Sequence, residues 1–361
     1  MRDIAVVQMT IMSSNEVQTT YADNPAFFAG HAVPGVKGHN SEGGPRVPYP
    51  DKKLLGMTGF AAKGHTFGGS KGKVIFIKNL QELKKHIGSA VPETLVIAAN
   101  INAPKKEKIS LGSNKSIIGS YKANLLNNIY FKAGYKTKNI IFQNLLFKHN
   151  QKNIANDDIQ LYLQSGERYW IDHCTFDGGK VDLKDLGKLV SIGPVNFVTI
   201  SYCRFVHHNY GLILGYPEDH PASGIKYKNL PQLTMKFNYF EDINARAPGL
   251  MRYGRFHVYN NFITNCRLGF TIAFDCHIFS ERNVFTKPRQ FAHVLDDKGN
   301  GSFKDSGSIA VPKSTKSKAN KWHPSGDYKY NVHTTTYTRK FCQRSSGSQV
   351  KKLEFASNDQ R

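Results

Sequence analysis

The chain has 361 residues and is strongly basic, with 49 Lys and Arg against 27 Asp and Glu and a formal net charge of +22. No window approaches the roughly 18 uninterrupted apolar residues that a membrane span needs, so no spanning segment is predicted. The charge excess favours a polyanionic partner, which could be nucleic acid, an anionic membrane surface or an acidic polysaccharide, and it does not decide among them.

The N-terminal third predicts an irregular start followed by ordered elements. Residues 1–50 are rich in Gly, Pro and Asn and lack a clean period, so we interpret them as an irregular N-terminal arm. A strand is predicted over Lys73–Ile77, and Asn79 is placed to cap a short helix over LQELKKHI. We expect residues 51–290 to form the main domain and residues 291–361 to form a C-terminal loop and tail that packs on it.

A recurring motif dominates the middle of the chain, where six segments each carry Asn or Cys followed two residues later by a large apolar residue. The aligned positions are Asn144, Cys174, Cys203, Asn238, Asn261 and Asn283, paired with Leu146, Phe176, Phe205, Phe240, Ile263 and Phe285. A repeat of 22 to 35 residues predicts a solenoid of stacked coils with a continuous aromatic core and a ladder of buried Asn side chains. A β-sandwich would explain the alternating pattern but not the recurring Asn or Cys.

Two further expectations follow from the repeat. The five cysteines show no metal-ligand spacing, and Cys174 and Cys203 at repeat positions are predicted to be buried free thiols. Beyond Thr94 no second helix of any length is predicted, and residues 296–321 are interpreted as a long surface loop of low apolar content.

The stretch NARAPGLMRYGRFHVYNNFI is the strongest candidate for a functional site. Arg246 and Arg252 flank Pro248 and Gly249, which predict a turn, and the alternating segment that follows predicts a strand. Two guanidiniums fixed near a rigid strand make a good carboxylate clamp. The alternative is a pair of ordinary surface arginines.

Four landmarks together resemble the pectate lyase and pectin lyase family of polysaccharide lyases. They are GMTGFAAKGHTFGGSKGKVIFIKNL, YWIDHCTF, VNFVTISYCRFVHH followed by LILG, and NARAPGLMRYGRFHVYNN, in that order along the chain. The resemblance implies an all-β fold, a single-stranded right-handed parallel β-helix, and cleavage of α-1,4-galacturonan, as pectate or pectin, by β-elimination. It also implies a secreted monomer that acts on an acidic polysaccharide, with no nucleic acid and no membrane as partner, although MRDIAVVQMTIMSS makes a poor secretory signal.

The same resemblance assigns residues to the cleavage site. Arg246 corresponds to the family's catalytic arginine, the proposed base, and Arg252 to its partner at the cleavage site. Five residues separate the two here, where the family pattern leaves four. Tyr210 stands where the family has a substrate-binding lysine, so it can donate a hydrogen bond to the polymer but carries no charge.

The resemblance also implies calcium, but the usual ligand set is degraded. Asp157 aligns with one calcium-binding aspartate, whereas its usual partner is replaced by Ala155. Calcium takes six to eight oxygen ligands, so we do not expect a calcium site on the usual plan. Lys184 and Lys188 lie in the loop where the metal would sit, and an ammonium there could bind substrate in its place, as basic groups do in pectin lyases. The alternative is two solvated loop lysines.

Two pairs of neighbouring polar residues are interpreted differently. Asp172 and His173 are expected to point to opposite faces of a strand and so not to act as a dyad, and we give them an architectural role. His207 and His208 stand in a loop after a strand and could touch substrate, but they would need further ligands to bind a metal. Two other functions remain open: a non-catalytic β-helix that binds an acidic polysaccharide, and a nucleic-acid-binding solenoid, which rests on charge alone.

Overall fold

A computed structural model describes residues 47–50, 54–289, 294–297, 299–310 and 317–357, with the backbone alone for 294–297. The predicted N-terminal arm lies outside these residues except for its last four. The helices are α1 Gly59–Lys63, α2 Leu80–Ile87, α3 Pro221–Lys226 and α4 Thr335–Ser345, with a 3-10 turn at Pro324–Gly326.

The remaining elements are short strands. The first twelve are β1 Lys73–Ile77, β2 Glu93–Ile97, β3 Ile101–Leu111, β4 Lys115–Gly119, β5 Leu125–Ala133, β6 Lys138–Gln143, β7 Leu146–Lys148, β8 Ile159–Leu163, β9 Glu167–Asp172, β10 Thr175–Asp177, β11 Lys188–Ile192 and β12 Asn196–Ser201. The others are β13 Arg204–Tyr210, β14 Leu212–Leu214, β15 Asn229–Lys236, β16 Tyr239–Ala245, β17 Gly249–Leu250, β18 Gly254–Tyr259, β19 Phe262–Thr264, β20 Phe270–Ile272, β21 His277–Glu281, β22 Val284–Thr286, β23 Val294–Asp297, β24 Ser302–Ser306 and β25 Lys318–Ala319.

The strands stack as the coils of a parallel solenoid. One sheet runs from β1 through β9, β12, β15, β18 and β21 to β25, and a second, longer sheet bends at β5 into two faces. One face carries β8, β11, β14, β17 and β20, and the other carries β10, β13, β16, β19 and β22. The predicted right-handed parallel β-helix is confirmed.

A column of aromatic rings fills the core, as the repeat predicts. Phe147, Phe176, Phe205 and Phe240 stack with ring centroids 4.6 to 5.2 Å apart. The repeat alignment placed its first segment one residue too early. It matched Leu146 to Phe176, whereas Phe147 is the residue that pairs with Phe176 in the structure.

The same one-residue error affects the predicted ladder. Asn144 is not a ladder residue; it adopts a left-handed backbone (φ 58°), a conformation that Asn tolerates, and its side chain bonds to the C-terminal segment at Gln349. The ladder itself lies in the later coils. There the backbone N–H groups of Cys203, Asn238 and Asn261 each donate, at 2.9 Å, to the side-chain Oδ1 of the Asn in the next coil.

The cysteine prediction is confirmed, and the helix prediction is confirmed only at the start of the chain. Cys174 and Cys203 are buried free thiols. Asn79 caps α2 through a 2.9 Å bond from the Glu82 N–H. No helix within the described part of the chain is long and apolar enough to cross a membrane.

The prediction of no second helix was wrong. α4 has 11 residues, and Thr338, Phe341, Cys342 and Ser345 are buried at helical spacing. Its sequence, TTYTRKFCQRS, has few strong helix formers, so burial of this face and not intrinsic propensity stabilises it. The surface-loop interpretation was also wrong in part, since β24 adds another strand to the first sheet beside β21.

Candidate active site

Four neighbouring strands bring the predicted site residues to one region. Lys188 begins β11, Tyr210 ends β13 just before β14, and Arg246 and Arg252 flank the two-residue strand β17. β11, β14 and β17 are consecutive neighbours in one sheet. Neighbouring strands lie about 5 Å apart, so residues that are far apart in sequence come close together here.

Arg246 sits at a tightly constrained turn. Its backbone is left-handed, with φ 66°, and its carbonyl accepts a 2.9 Å bond from the Leu212 N–H. A Cβ at Gly211 would lie 2.4 Å from that carbonyl oxygen, so only glycine allows this approach. The fold therefore fixes where the Arg246 side chain begins.

The guanidinium of Arg246 is half-buried and faces an aromatic ring. Its Cζ lies 5.0 Å from the centroid of Tyr210. Burial lowers the pKa of Arg246 below its ordinary value, the interaction with Tyr210 opposes this, and the positive charge of Arg252 lowers the pKa further. Both lowering causes favour the neutral guanidine that a base requires.

Arg252 is held by an acidic partner from the loop that follows β14. Its Nε donates to Oδ1 of Asp219, and its Nη2 donates to Oδ2 at 3.3 Å. The Arg252 side chain is 13% exposed, whereas that of Asp219 is 47% exposed. A substrate carboxylate or ester oxygen would compete with Asp219 for this fork-shaped donor.

Lys188 is buried beneath the site and does not reach solvent freely. Its Nζ donates to the carbonyl and side-chain oxygens of Asn156 and to the Leu186 carbonyl. Burial and the charge of Arg246 lower the pKa of Lys188 to about 8, although Asp185 and Asp157 oppose the shift. The ammonium is thus present at neutral pH, with its three hydrogens directed at protein oxygens. Lys184 is exposed in the same loop.

Two lysines on β3, which sequence reasoning missed, pair with the acidic residues at the expected metal position. Lys108 Nζ lies 2.6 Å from Oδ2 of Asp157, and Lys106 Nζ lies 2.7 Å from Oδ1 of the buried Asp158. The Lys108 ion pair also lowers the pKa of Asp157. Ammonium groups already bind these carboxylates, and Ala155 offers no side-chain oxygen, so the residues present do not fit a calcium site of the usual kind.

The interpretation of Asp172 and His173 needs a correction. His173 leaves the strand with a left-handed backbone (φ 46°), so the two side chains do meet, with Nδ1 2.8 Å from Oδ2 of Asp172. Both are fully buried, and Nε2 of His173 bonds to the Glu354 carbonyl in the C-terminal segment. The pair lies within the packing of the coil corner, and the geometric argument against their contact was wrong.

The neighbouring histidines have different surroundings. His207 is 41% exposed and bonds to Asp177. His208 is buried beside His149 and Asp185, two groups that the sequence analysis did not single out.

Comparisons with known proteins decide the family. Residues 52–351 match the family model described as pectate lyase. A pectin lyase of Pseudomonas marginalis is 44% identical over 86% of this chain and 100% of its own length. A pectin lyase of Bacillus subtilis is 42% identical over 86% of this chain and 92% of its own length. The chain belongs to the pectate lyase family.

Solved structures agree on the fold of this family member. A pectate lyase from Acidovorax avenae subsp. citrulli superposes with a TM-score of 0.70 at 17% identity, over 88% of this chain and 99% of its own. A pectate lyase from Bacillus sp. N165, crystallised with trigalacturonate, gives a TM-score of 0.66 at 21% identity, over 81% and 99%. The chain is a polysaccharide lyase, and the non-catalytic alternative is not favoured.

Proposed function

We propose that this family member cleaves methyl-esterified galacturonan, that is pectin, by β-elimination without calcium. The observation that carries the proposal is the pairing of Lys108 with Asp157 and of Lys106 with Asp158, which occupies the carboxylates a metal would need. The full-length relatives at 42 to 44% identity bear the name pectin lyase, which supports the same choice.

The chemistry of the substrate explains why a metal is dispensable. Removing the C5 proton next to a carboxylate puts a second negative charge on a group that already carries one. Next to a neutral methyl ester, the same step produces only one negative charge. Fewer positive charges are then needed in the transition state. Tyr210, an uncharged hydrogen-bond donor, stands where pectate lyases have a lysine, and it suits a neutral ester.

The reaction assigns a role to each arginine. Arg246, in its neutral form, takes the proton from C5 of the sugar, and the electron pair left behind forms the C4–C5 double bond. The C4–O glycosidic bond breaks, the departing oxygen takes up a proton from water, and Arg246 afterwards returns its proton to the solvent. Arg252 turns from Asp219 to the carbonyl oxygen of the ester and stabilises the charge that develops there.

The setting of the reaction follows from the polymer. Pectin is too large to enter a cell, so we infer that the enzyme meets it outside the cell. Arg246, Arg252 and Tyr210 all come from one chain, so we expect a monomer to be sufficient.

The test measures ultraviolet absorbance of the 4,5-unsaturated product on highly methylated pectin and on polygalacturonate, each with calcium and with chelator. We expect turnover of methylated pectin that survives the chelator. Arg246→Ala should lower kcat at least about 100-fold. The matched control is Arg344→Ala, on the surface helix α4, where the side chain is 61% exposed. Activity confined to polygalacturonate with calcium would refute the proposal.

A further inference from the structure

A buried cluster of three titratable side chains adjoins the backbone next to Lys188 and Tyr210. His149 Nε2 is 3.0 Å and His208 Nε2 is 3.2 Å from the same oxygen, Oδ2 of Asp185. The three residues are at most 5% exposed and come from three successive coils. The mechanism proposed above uses none of them.

The hydrogen bonds around His149 identify it as a donor to the carboxylate. The hydroxyl of Tyr130 accepts bonds from Asn153 Nδ2 at 2.9 Å and from the Asn150 N–H at 3.4 Å, so its own proton is free to go to His149 Nδ1, 3.0 Å away. The other ring nitrogen, Nε2, then carries the proton and donates it to Asp185.

His208 joins the cluster to the residue that faces Arg246. His208 Nδ1 lies 3.1 Å from the Tyr210 backbone nitrogen and 3.0 Å from the Tyr210 carbonyl oxygen, so the ring is tied to the backbone of Tyr210 in either tautomer. A bond from Nε2 to Oδ2 of Asp185 would span 3.2 Å. The ring is not well aligned for this bond, and Nε2 lacks a hydrogen-bond partner of good geometry among the described residues. The contact is therefore electrostatic more than directional.

From Asp185 the network continues through two more coils. Its Oδ1 accepts a 2.8 Å bond from the N–H of Gly187, the residue before Lys188. Its backbone carbonyl accepts a 2.8 Å bond from Nδ2 of Asn209, the residue before Tyr210. Asn209 Oδ1 accepts Asn244 Nδ2 at 2.8 Å, two residues before Arg246. Each proposed functional residue of this face thus has a neighbour in the network.

We propose that Asp185 is a positioning residue, which holds the loops of Lys188, Tyr210 and Arg246 in the arrangement that the lyase reaction needs. The inference rests on the proposed function, since it assigns Asp185 a role in that reaction. Burial alone would raise the pKa of Asp185, but the hydrogen bond from His149 and the interaction with His208 outweigh it and hold the pKa below its ordinary value. The carboxylate consequently stays charged at the pH of catalysis, and its oxygens continue to accept the hydrogen bonds of the network.

A metal ion is the main competing explanation. Two imidazoles and a carboxylate whose ligand atoms all lie within 4.8 Å of one another could bind a first-row divalent ion. The protonated Nε2 of His149 argues against it, because that nitrogen already donates to Asp185. Metal analysis of the purified protein is therefore part of the test.

The experiment compares Asp185→Asn, His149→Gln and His149→Leu with the wild type on methylated pectin. His207→Gln is the matched control, since His207 is an exposed neighbour outside the cluster. We expect Asp185→Asn to lower kcat at least about tenfold with KM changed less than about twofold, because misplaced catalytic groups slow the chemical step more than they weaken binding. His149→Gln keeps a donor near the Nε2 position and should retain several-fold more activity than His149→Leu.

The outcomes separate this inference from the proposed function. All assays are run well below each variant's Tm, so that a loss of folded protein does not pass for a loss of kcat. A folded Asp185→Asn with wild-type kcat would overturn the positioning role and leave the lyase assignment intact. One equivalent of a divalent metal in the wild type, lost in Asp185→Asn, would overturn it in favour of a metal site. An inactive wild type would refute the proposed function itself.

Discussion

The guanidinium of Arg246 lies over the ring of Tyr210, with 5.0 Å between Cζ and the ring centroid. A cation at this distance from an aromatic face is held by roughly 0.5 to 2 kcal/mol. The ring therefore acts as a support that orients the proposed base. We propose that Tyr210 has two separable functions, stacking under Arg246 and hydrogen bonding to the substrate through its hydroxyl.

The first prediction separates these functions. Tyr210→Phe retains the ring and should keep kcat within about threefold of the wild type. Tyr210→Leu removes the support, and we expect kcat to fall about 5- to 30-fold, as the loss of a 1 to 2 kcal/mol interaction implies. Initial rates on methylated pectin measure both. A Phe variant as impaired as the Leu variant would show that the hydroxyl and not the stacking matters, and Tyr135→Leu, at an 88% exposed position, controls for non-specific effects.

The second prediction concerns Asp157, which aligns with one calcium-binding aspartate of the family. Its carboxylate is 76% exposed and paired with Lys108 at 2.6 Å. Because exposed ion pairs contribute little, Asp157→Asn should leave kcat/KM within about twofold and the Tm almost unchanged. The assay is run with and without added calcium. If kcat/KM of the variant is tenfold below that of the wild type when calcium is added, but equal to it without calcium, then Asp157 is a metal ligand.

The coil repeat was readable from the sequence because stacked coils put the same residue type at the same position. The register of single segments was less secure. In FQNLLF, Asn144 and Leu145 compete for the ladder position, and the sequence motif favours the Asn. The structure places Leu145 in the core and Asn144 at the left-handed corner, a backbone preference that side-chain matching does not detect.

The site was predictable only in part, for a related reason. Arg246, Arg252 and Tyr210 lie within or beside recognisable motifs. Lys106 and Lys108 lie about 50 residues before their acidic partners, and Asp185 meets His149 across 36 residues. Such contacts depend on how coils of unequal length stack. Nothing local in the sequence indicates them. The two lysines approach their partners because β3 pairs with β5 and β5 pairs with β8, which follows Asp157 and Asp158.

The third prediction tests the Asn ladder as a source of stability. Asn261 is fully buried; its Oδ1 accepts from Asn238, and its Nδ2 donates to Asn283 and to two backbone carbonyls. Asn261→Ala leaves several of these partners unsatisfied, so we expect the free energy of unfolding to fall by about 3 kcal/mol. Chemical denaturation measures the change.

The control for the ladder is Asn102→Ala, which removes an exposed side-chain amide from the same fold. We expect a change below about 0.5 kcal/mol there. Equal effects at the two positions would show that the ladder contributes no more than a surface hydrogen bond.

The last prediction follows from the lowered pKa of Lys188. Burial and Arg246 move it from 10.5 to about 8, so the charged form is disfavoured in the folded state relative to the unfolded one. Below pH 8 both states bind the proton, and the folded state bears the full unfavourable contribution. Between pH 8 and 10.5 only the unfolded state still binds it, so this contribution fades and stability rises with pH.

The measurement compares the wild type with Lys188→Met by denaturation at pH 7.5 and pH 9.5. The difference in unfolding free energy between the two proteins should shift by about 1 to 2 kcal/mol in favour of the wild type at the higher pH. Comparison with the variant cancels the titration of the other groups, which both proteins share. A difference that stays constant, or one that moves against the wild type, would show that the hydrogen bonds to Asn156 and Leu186 keep the Lys188 ammonium as stable as it is in water.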